Sequence, residues 1–311
     1  MSLEVTQHHK LQYASNVMMV AQQTRNALQG AVTTVPATGE AQSVADLFDA
    51  VEAQRGDEKS RRNVETPVSG SRRWVVLQPS IEAGGYITKE EKFRTATDPT
   101  SHYVRNYTMA VNRGCGDLAL GVSKQKDGNF RITDGGILGI AREGKTPGTG
   151  TELPASQYID NGGLGMVLDK LIAAQEKLRL ADFGLEDEFD QLFCAISPKQ
   201  ITNLLNIAAQ TQVNLNAFEI QQIKSGKPTT LLGVTWIFTN RLPFKKGTTD
   251  IRLNPIWAKS NIVYAEWQGV QGQMWNDTSA KNLPYALVDT YADCVRAQDK
   301  GVVVIESKEA A

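Results

Sequence analysis

The clearest pattern in the chain is a set of apolar residues at three- and four-residue steps: Leu164, Val167, Leu168, Leu171, Ile172 and Leu178. Asp169, Lys170, Glu176, Lys177 and Arg179 occupy the other faces. That period predicts an amphipathic helix over 163–182, about twenty residues and ~30 Å long. Asp160 or Asn161 is placed to cap its start, and Gly184 marks its end. Beyond it the pattern shortens to strand-like runs at 189–196, 230–239, 251–258, 261–266, 285–295 and 302–306, with a short helix over 199–206. Ahead of it, Tyr107 to Lys124 reads as a helix burying Met109, Leu118 and Leu120, weakened by Gly114 and Gly116. Residues 126–163, rich in Gly, Thr and Pro, read as a long loop or weak hairpin. Strands, one long helix and then many strands give an α+β class, without the βαβ alternation of a nucleotide-binding sheet.

The first hundred residues lack such periodicity. Tyr13 to Leu28 is rich in the helix formers Ala, Gln and Met, and Gly30, Pro36 and Gly39 then break it. Ser43 is placed to cap a short helix from Val44 to Gln54. Neither piece has enough apolar surface to fold by itself, so both read as an arm that packs on something else. Arg72 to Leu77 is a β-like run stopped by Pro79 and by Gly84-Gly85, with Tyr86 to Arg94 as a return strand and a turn at Asp98-Pro99-Thr100. A long hairpin polar on both faces is stabilised mainly by lying on a partner.

Charge sharpens this reading. The 311 residues carry 33 Lys and Arg against 34 Asp and Glu, a net charge of -1, so no bulk field draws the chain to nucleic acid. The charge is unevenly spread. Residues 55–113 hold eleven positive and seven negative side chains, a net of +4, whereas residues 1–54 hold two and five. A solvated loop accounts for a basic run of this kind; the alternative is a surface that meets an acidic partner. Arg61, Arg62, Arg72, Arg73, Trp74 and Arg94 are therefore the candidate inter-subunit contacts on the basic side, with Asp46, Asp49 and Glu52 of the arm, or the group Glu186, Asp187 and Glu188, as acidic complements. Hydrophobic residues make up 41% and charged residues 22%, which excludes a chain disordered throughout. The apolar runs, such as Gly301 to Ile305, are far shorter than a membrane span. Three widely spaced cysteines (Cys115, Cys194, Cys294) and a start without the charged and apolar segments of a secretory signal predict a reducing cytoplasm.

Candidate chemistry is sparse. Gly139-Ile-Ala-Arg-Glu-Gly144-Lys145-Thr146 matches the phosphate-binding loop of nucleoside triphosphatases letter for letter. That loop works at the start of a helix, where aligned N–H groups wrap phosphate. Pro147, the run Gly148-Thr149-Gly150 and Pro154 follow at once, so no helix is expected there and the nucleotidase reading stays a rival only. His8, His9 and His102 have no metal-ligand spacing, and no serine or cysteine nucleophile motif accompanies them. Trp236, Trp257, Trp267 and Trp275 suit core or subunit-contact roles. No catalytic residue, cofactor or metal is assigned.

Taken as an ordered series, these parts resemble the major capsid protein of tailed double-stranded DNA bacteriophages, a fold shared with encapsulin shells. The arm is followed by the basic segment leading to Phe93-Arg94 and Asp98-Pro99-Thr-Ser-His-Tyr103. Next come Ala110-Val-Asn-Arg113-Gly-Cys-Gly-Asp117, which is similar to a helix of that family, and the helix after Gly162-Gly163-Leu164, which looks like its spine helix. Cys194 to Leu205 looks like the strand-to-helix start of the axial domain, Gly233 to Pro243 like a strand with its Asn-x-Leu-Pro edge, and Tyr285 to Ile305 like the last strands of the peripheral domain.

The resemblance implies four parts: an N-terminal arm (1–60), an extended β-hairpin loop (61–105), a peripheral domain with the spine helix at 163–182 (106–185 and 283–311), and an axial domain (186–282). It implies self-assembly into hexamers and pentamers of an icosahedral shell around the phage genome, put together in the host bacterial cytoplasm. The implied partners are further copies of the chain, a portal, packaged double-stranded DNA held non-specifically at the inner surface, a decoration protein and a separate scaffolding protein, since no scaffolding segment of ~100 residues precedes the arm. No membrane partner is implied, and no Lys and Asn pair is assigned to a covalent crosslink. An encapsulin-type cargo shell, or a tail or portal-proximal structural protein, is the alternative.

Overall fold

The computed structural model describes residues 26–48, 70–87, 100–185, 190–210, 230–231 and 233–309. The chain forms two compact units. One is built from Ala27–Gln78, Gly116–Trp267 and Ala292–Ala311, and the other includes Pro79–Cys115 and Gln268–Tyr291. In chain order the elements before the predicted spine helix are β1 (Thr33–Pro36), β2 (Ala41–Phe48), β3 (Gly70–Val76), β4 (Ile81–Tyr86), α1 (Thr100–Leu120), β5 (Val122–Lys124), β6 (Phe130–Ile132), β7 (Ala141–Glu143), β8 (Thr149–Thr151) and β9 (Tyr158–Ile159). There follow α2 (Leu168–Leu180), β10 (Leu192–Ile196), α3 (Pro198–Gln210), β11 (Thr230–Leu231), β12 (Val234–Phe238), β13 (Ile251–Ala258), β14 (Ile262–Asp277), β15 (Leu283–Arg296) and β16 (Val302–Lys308). The α+β class read from the sequence holds.

The first unit is organised by a six-stranded sheet in the order β11-β12-β10-β13-β16-β9. Its central strands are continuous apolar runs because both faces are covered. Leu192, Cys194, Ile196, Ile256, Ala258, Val303 and Ile305 point to one side, where they meet Leu171, Ala174 and Leu178 of α2 and Ile201 and Leu204 of α3. The alternate residues Phe193, Ala195, Leu253, Trp257, Val302 and Val304 point to the other, against Leu28, Ala31, Ala119, Leu120 and Leu138. Trp257, fully buried, donates its indole N–H to the Ala31 carbonyl at 2.9 Å.

The predicted spine helix is shorter than its periodicity suggested. α2 has thirteen residues, about 20 Å, and Val167 at its start is extended. The chain before it is turned by Gly162 and Gly163, both at positive φ. The carbonyls there are gathered by one ammonium: Lys170 Nζ donates to Asn161 O at 2.8 Å, Leu164 O at 3.0 Å and Gly165 O at 2.8 Å, and to Glu306 O at 3.1 Å. Burial pushes the Lys170 amine below its ordinary pKa. As a result Leu164 is 58% exposed outside the helix and Ile172 is 48% exposed upon it, while Leu171 and Leu178 are core and Leu168 packs at the edge of it. The longest helix among the described residues is instead α1, with 21 residues. It begins seven residues before the predicted start and stops at Leu120, where Gly121 takes a positive φ that a side chain would not tolerate against Gly135.

The second unit packs α1 on β4 and β15, which pair antiparallel from Tyr285↔Tyr86 to Thr290↔Ile81. Val111, Cys115 and Val288 form its buried centre with Ile81, Ala83, Val104 and Tyr107 around them. The glycines that weakened the helix and strand readings are contact points here. A Cβ on Gly114 would come within 2.6 Å of Ile81 Cγ2, and one on Gly85 within 2.5 Å of Tyr107 Oη. Gly84 and Gly85 therefore lie inside β4 rather than ending a strand.

Two expectations for the first hundred residues are corrected. Val44 to Phe48, assigned to a helix, belongs to β2, because β3 offers an antiparallel ladder from Ala41↔Val76 to Phe48↔Gly70, interrupted by a bulge at Val44. The run Arg72 to Leu77 thus finds its hairpin partner on the amino-terminal side, and the predicted return strand lies, from Thr88 onward, outside the described residues. The same holds for the predicted helix up to Arg25 and for 49–54.

With this packing, Leu171→Ala or Leu178→Ala is expected to cost about 2–5 kcal/mol, whereas Leu164→Ala or Ile172→Ala stays within roughly 0.5 kcal/mol. Urea unfolding of the unassembled subunit distinguishes the two pairs, and equal losses at all four positions would contradict it.

Candidate functional site

The phosphate-loop match sits on a hairpin. Ala141–Glu143 is β7, which turns back through Gly144 to Pro147 into antiparallel β8. The Gly144 N–H donates to Arg72 O at 3.1 Å and its carbonyl accepts the Trp74 indole N–H at 2.7 Å, so neither group is turned to a ligand. Among the described residues, no group of three or more His, Cys, Asp or Glu is set to hold a metal, and no helix is long and apolar enough to cross a membrane. The three cysteines are buried, and burial pushes the thiols of Cys194 and Cys294 far up. An 870 Å³ cleft lined by Arg131, Asp134, Glu152, Lys245 and Glu306 mixes both charges, and Lys245 Nζ pairs with Glu306 at 2.7 Å.

The most developed polar construction is the root of the β2–β3 hairpin. Arg73, only 4% exposed, reaches Asp299 at 2.9 Å and Glu143 at 3.4 Å. Asp299 also accepts from Arg296 Nε at 2.6 Å, and the fully buried Arg296 donates to the carbonyls of Gly139 and, at 2.9 Å, Thr151. Alongside, Asp293 accepts from Arg142 Nη1, the Val76 amide and the Cys294 amide, each at 2.9 Å. Burial raises the Asp293 carboxyl against the opposing pull of the Val76 amide and Arg142. These groups lock β3 to β7 and to the end of β15. Beyond them and the Gly144 amide bond to Arg72 O, among the described residues, the end of the hairpin toward Phe48 and Gly70 pairs only with itself, since the β3–β7 ladder holds only Arg73↔Glu143 and Trp74↔Arg142.

The predicted contact residues therefore divide. Arg73 is not available to a neighbour, because its charge is neutralised inside the subunit. Arg72 is exposed and lies 5.4 Å over the half-exposed Trp74 ring. Asp46 stands opposite Arg72 in the ladder of the same hairpin. Arg61, Arg62, Arg94 and Asp49 lie outside the described residues.

A second surface was legible only in part. On the outer face of β15, Tyr285 contacts Tyr86 at 4.7 Å and Trp275 at 5.1 Å between ring centroids, and Tyr86 donates its hydroxyl to Asp277 at 2.7 Å. That hydrogen bond raises the Tyr86 pKa, and the bonds from Ser279 and Tyr86 lower that of Asp277. Of the tryptophans, Trp236 and Trp257 are core while Trp275 is 43% exposed. Only pairing of β4 with β15 brings Tyr86 and Tyr285, two hundred residues apart, into one row.

Arg73→Glu places a third carboxylate beside Asp299 and Glu143, and is expected to destabilise the subunit by about 3–5 kcal/mol, as breaking a buried pair does. Arg72→Glu is expected to change it by less than about 1 kcal/mol. Thermal unfolding of unassembled subunits measures both; similar melting of the two variants would refute the buried root.

The profile of the phage capsid protein family matches residues 5–309. No curated protein sequence matches the chain. Among solved structures, the capsid of Ralstonia phage GP4 is similar at 13% identity and TM-score 0.65, covering 100% of this chain and 99% of that one. The capsid of cyanophage P-SCSP1u is similar at 10% identity and TM-score 0.65 over 96% and 92%. The SrpI encapsulin complex of Synechococcus elongatus PCC 7942 follows the same fold at 13% identity and TM-score 0.59 over 95% and 93%. With a family profile that spans nearly the whole sequence, and a fold shared with capsid shells, this chain belongs to the phage capsid protein family and is a structural major capsid protein.

Proposed function

We propose that copies of this chain form the hexamers and pentamers of an icosahedral shell that encloses the phage genome, assembling in the host bacterial cytoplasm. The observation that carries this reading is the two-stranded end of the β2–β3 hairpin. A ribbon with no third strand is marginal in water and is stabilised by lying on a partner, yet its root is fixed by a buried ion cluster that the subunit makes for itself. The 21 residues joining β2 to β3 hold Arg55, Lys59, Arg61 and Arg62 against Asp49, Glu52, Asp57, Glu58 and Glu65, so this segment offers charges of both signs, with Arg61 and Arg62 side by side, to an adjacent copy. Near-zero net charge lets many copies pack without strong mutual repulsion. Valency lets individually weak contacts close a shell. A separate scaffolding protein, a portal and a decoration protein complete the particle, and DNA meets its inner surface non-specifically. The function is assembly, not catalysis.

Sedimentation and negative-stain microscopy of the purified chain, with scaffold co-expressed, are expected to show capsomers or shells. A monomer under every condition would overturn the reading, and shells filled with a protein cargo in place of DNA would favour the encapsulin alternative. Replacing Arg61, Arg62, Arg72 and Arg94 by Glu is expected to leave the subunit folded and to block shell closure. Assembly of the parent should weaken from about 0.1 to 1 M salt, as the Debye length falls from about 10 to 3 Å.

A further inference from the structure

Among the described residues, the distal part of β14 is an uncovered sheet edge. β1 pairs with β14 only from Thr33↔Val263 to Pro36↔Glu266, and β14 has β15 on its other side. From Gln268 to Asp277, therefore, one row of backbone N–H and C=O groups faces no strand among the described residues, and Gly269 to Asn276 is exposed throughout. Natural edges of this length are guarded by Lys, Pro or inward charges. Here Gln268 to Asn276 holds no charged residue and no proline, and does hold Val270, Met274 and Trp275, all more than 40% exposed.

We propose that this edge pairs with the same edge of a second copy, antiparallel about a twofold axis through Gly272. The inference rests on the self-assembly proposed above and names one of its contacts. The sequence is self-complementary in that register. A twofold axis perpendicular to the sheet keeps each residue on its own face, so opposite positions are of equal parity, and centring on Gly272 sets Val270 against Met274 twice. Those side chains share the α1-side face: a Cβ on Gly272 would meet only Val288 Cγ2, at 3.9 Å, and Val288 is packed against Val111. On the other face Trp275, held against Tyr285, falls opposite Gly269, whose missing side chain leaves room for the indole. Gln271 meets Gln273, and Gln268 meets Asn276. The first charge, Asp277, lies beyond the paired segment, so no like charges meet.

The test is disulfide trapping in the full chain, where the three native cysteines are buried and give little background. Gly272→Cys puts identical thiols face to face, with Cα atoms ~4.5–5.5 Å apart, a spacing a disulfide spans. Assembled particles of this variant are expected to yield covalent dimers on mild oxidation. Thr278→Cys, equally exposed but opposite a different residue, is expected to yield none above the parent. Co-assembly of Gln271→Cys with Gln273→Cys chains should trap the mixed dimer. Val270→Lys should raise the concentration needed for assembly roughly three- to tenfold through loss of two cross-strand pairs, without altering subunit melting. Particles that form normally while Gly272→Cys stays uncrosslinked would overturn the edge pairing and leave shell assembly standing. So would trapping of Gln271→Cys on any other segment.

Discussion

Arg296 is a guanidinium with no exposed surface, held between Asp299 and the carbonyls of Gly139 and Thr151, and it shares Asp299 with the nearly buried Arg73. Burying two such cations costs several kcal/mol each unless they are paired and hydrogen-bonded. The pairing therefore ties β3, β7 and the end of β15 together, because separating them takes these buried charges from their counter-ions. Cluster and hairpin imply one another: β3 supplies Arg73, and the rest of the cluster tells the hairpin which way to leave the sheet.

The six-stranded sheet supplies the rigid background for this root. Its middle strands β10, β13 and β16 are largely apolar on both faces, apart from buried groups such as Asn254 and Ser307 that hydrogen-bond each other, and large residues such as Trp257 and Ile256 are completely buried. Substitutions there act through cavities, whereas in the assembly proposed above substitutions on the hairpin ribbon and the β14 edge act through contacts with other copies. Among the described residues the apolar surface lies inside the sheet, while a ribbon and a strand edge have no partner strand in the subunit, and these are the two places where the proposed assembly adds a neighbour.

Lys170 shows how one side chain redirects a segment whose pattern said otherwise. The three- and four-residue spacing from Leu164 to Leu178 fits a helix of twenty residues. Yet Gly162 and Gly163 allow a turn, and the Lys170 ammonium satisfies the carbonyls of Asn161, Leu164 and Gly165 that a longer helix would have paired with its own amides. Helical periodicity reports which residues are apolar, and it does not report which backbone groups have found another partner.

By itself the sequence determined the α+β class, the central strands and the emptiness of the phosphate-loop match. Each of these rests on local rules: alternation, apolar runs bounded by turns, and a proline directly after the motif. The strand at Ile251–Ala258 was read with its observed bounds for that reason. What tertiary structure decided was everything that needed a distant partner. Val44 to Phe48 became a strand because β3 was there to pair with it, and Gly114 sits mid-helix because Ile81 fills the space its side chain would need. Arg72 and Arg73 are neighbours with the same charge, and nothing local separates them. One was turned to solvent and the other to Asp299 by the alternation of a strand whose faces are defined only once β7 and β15 have closed around it.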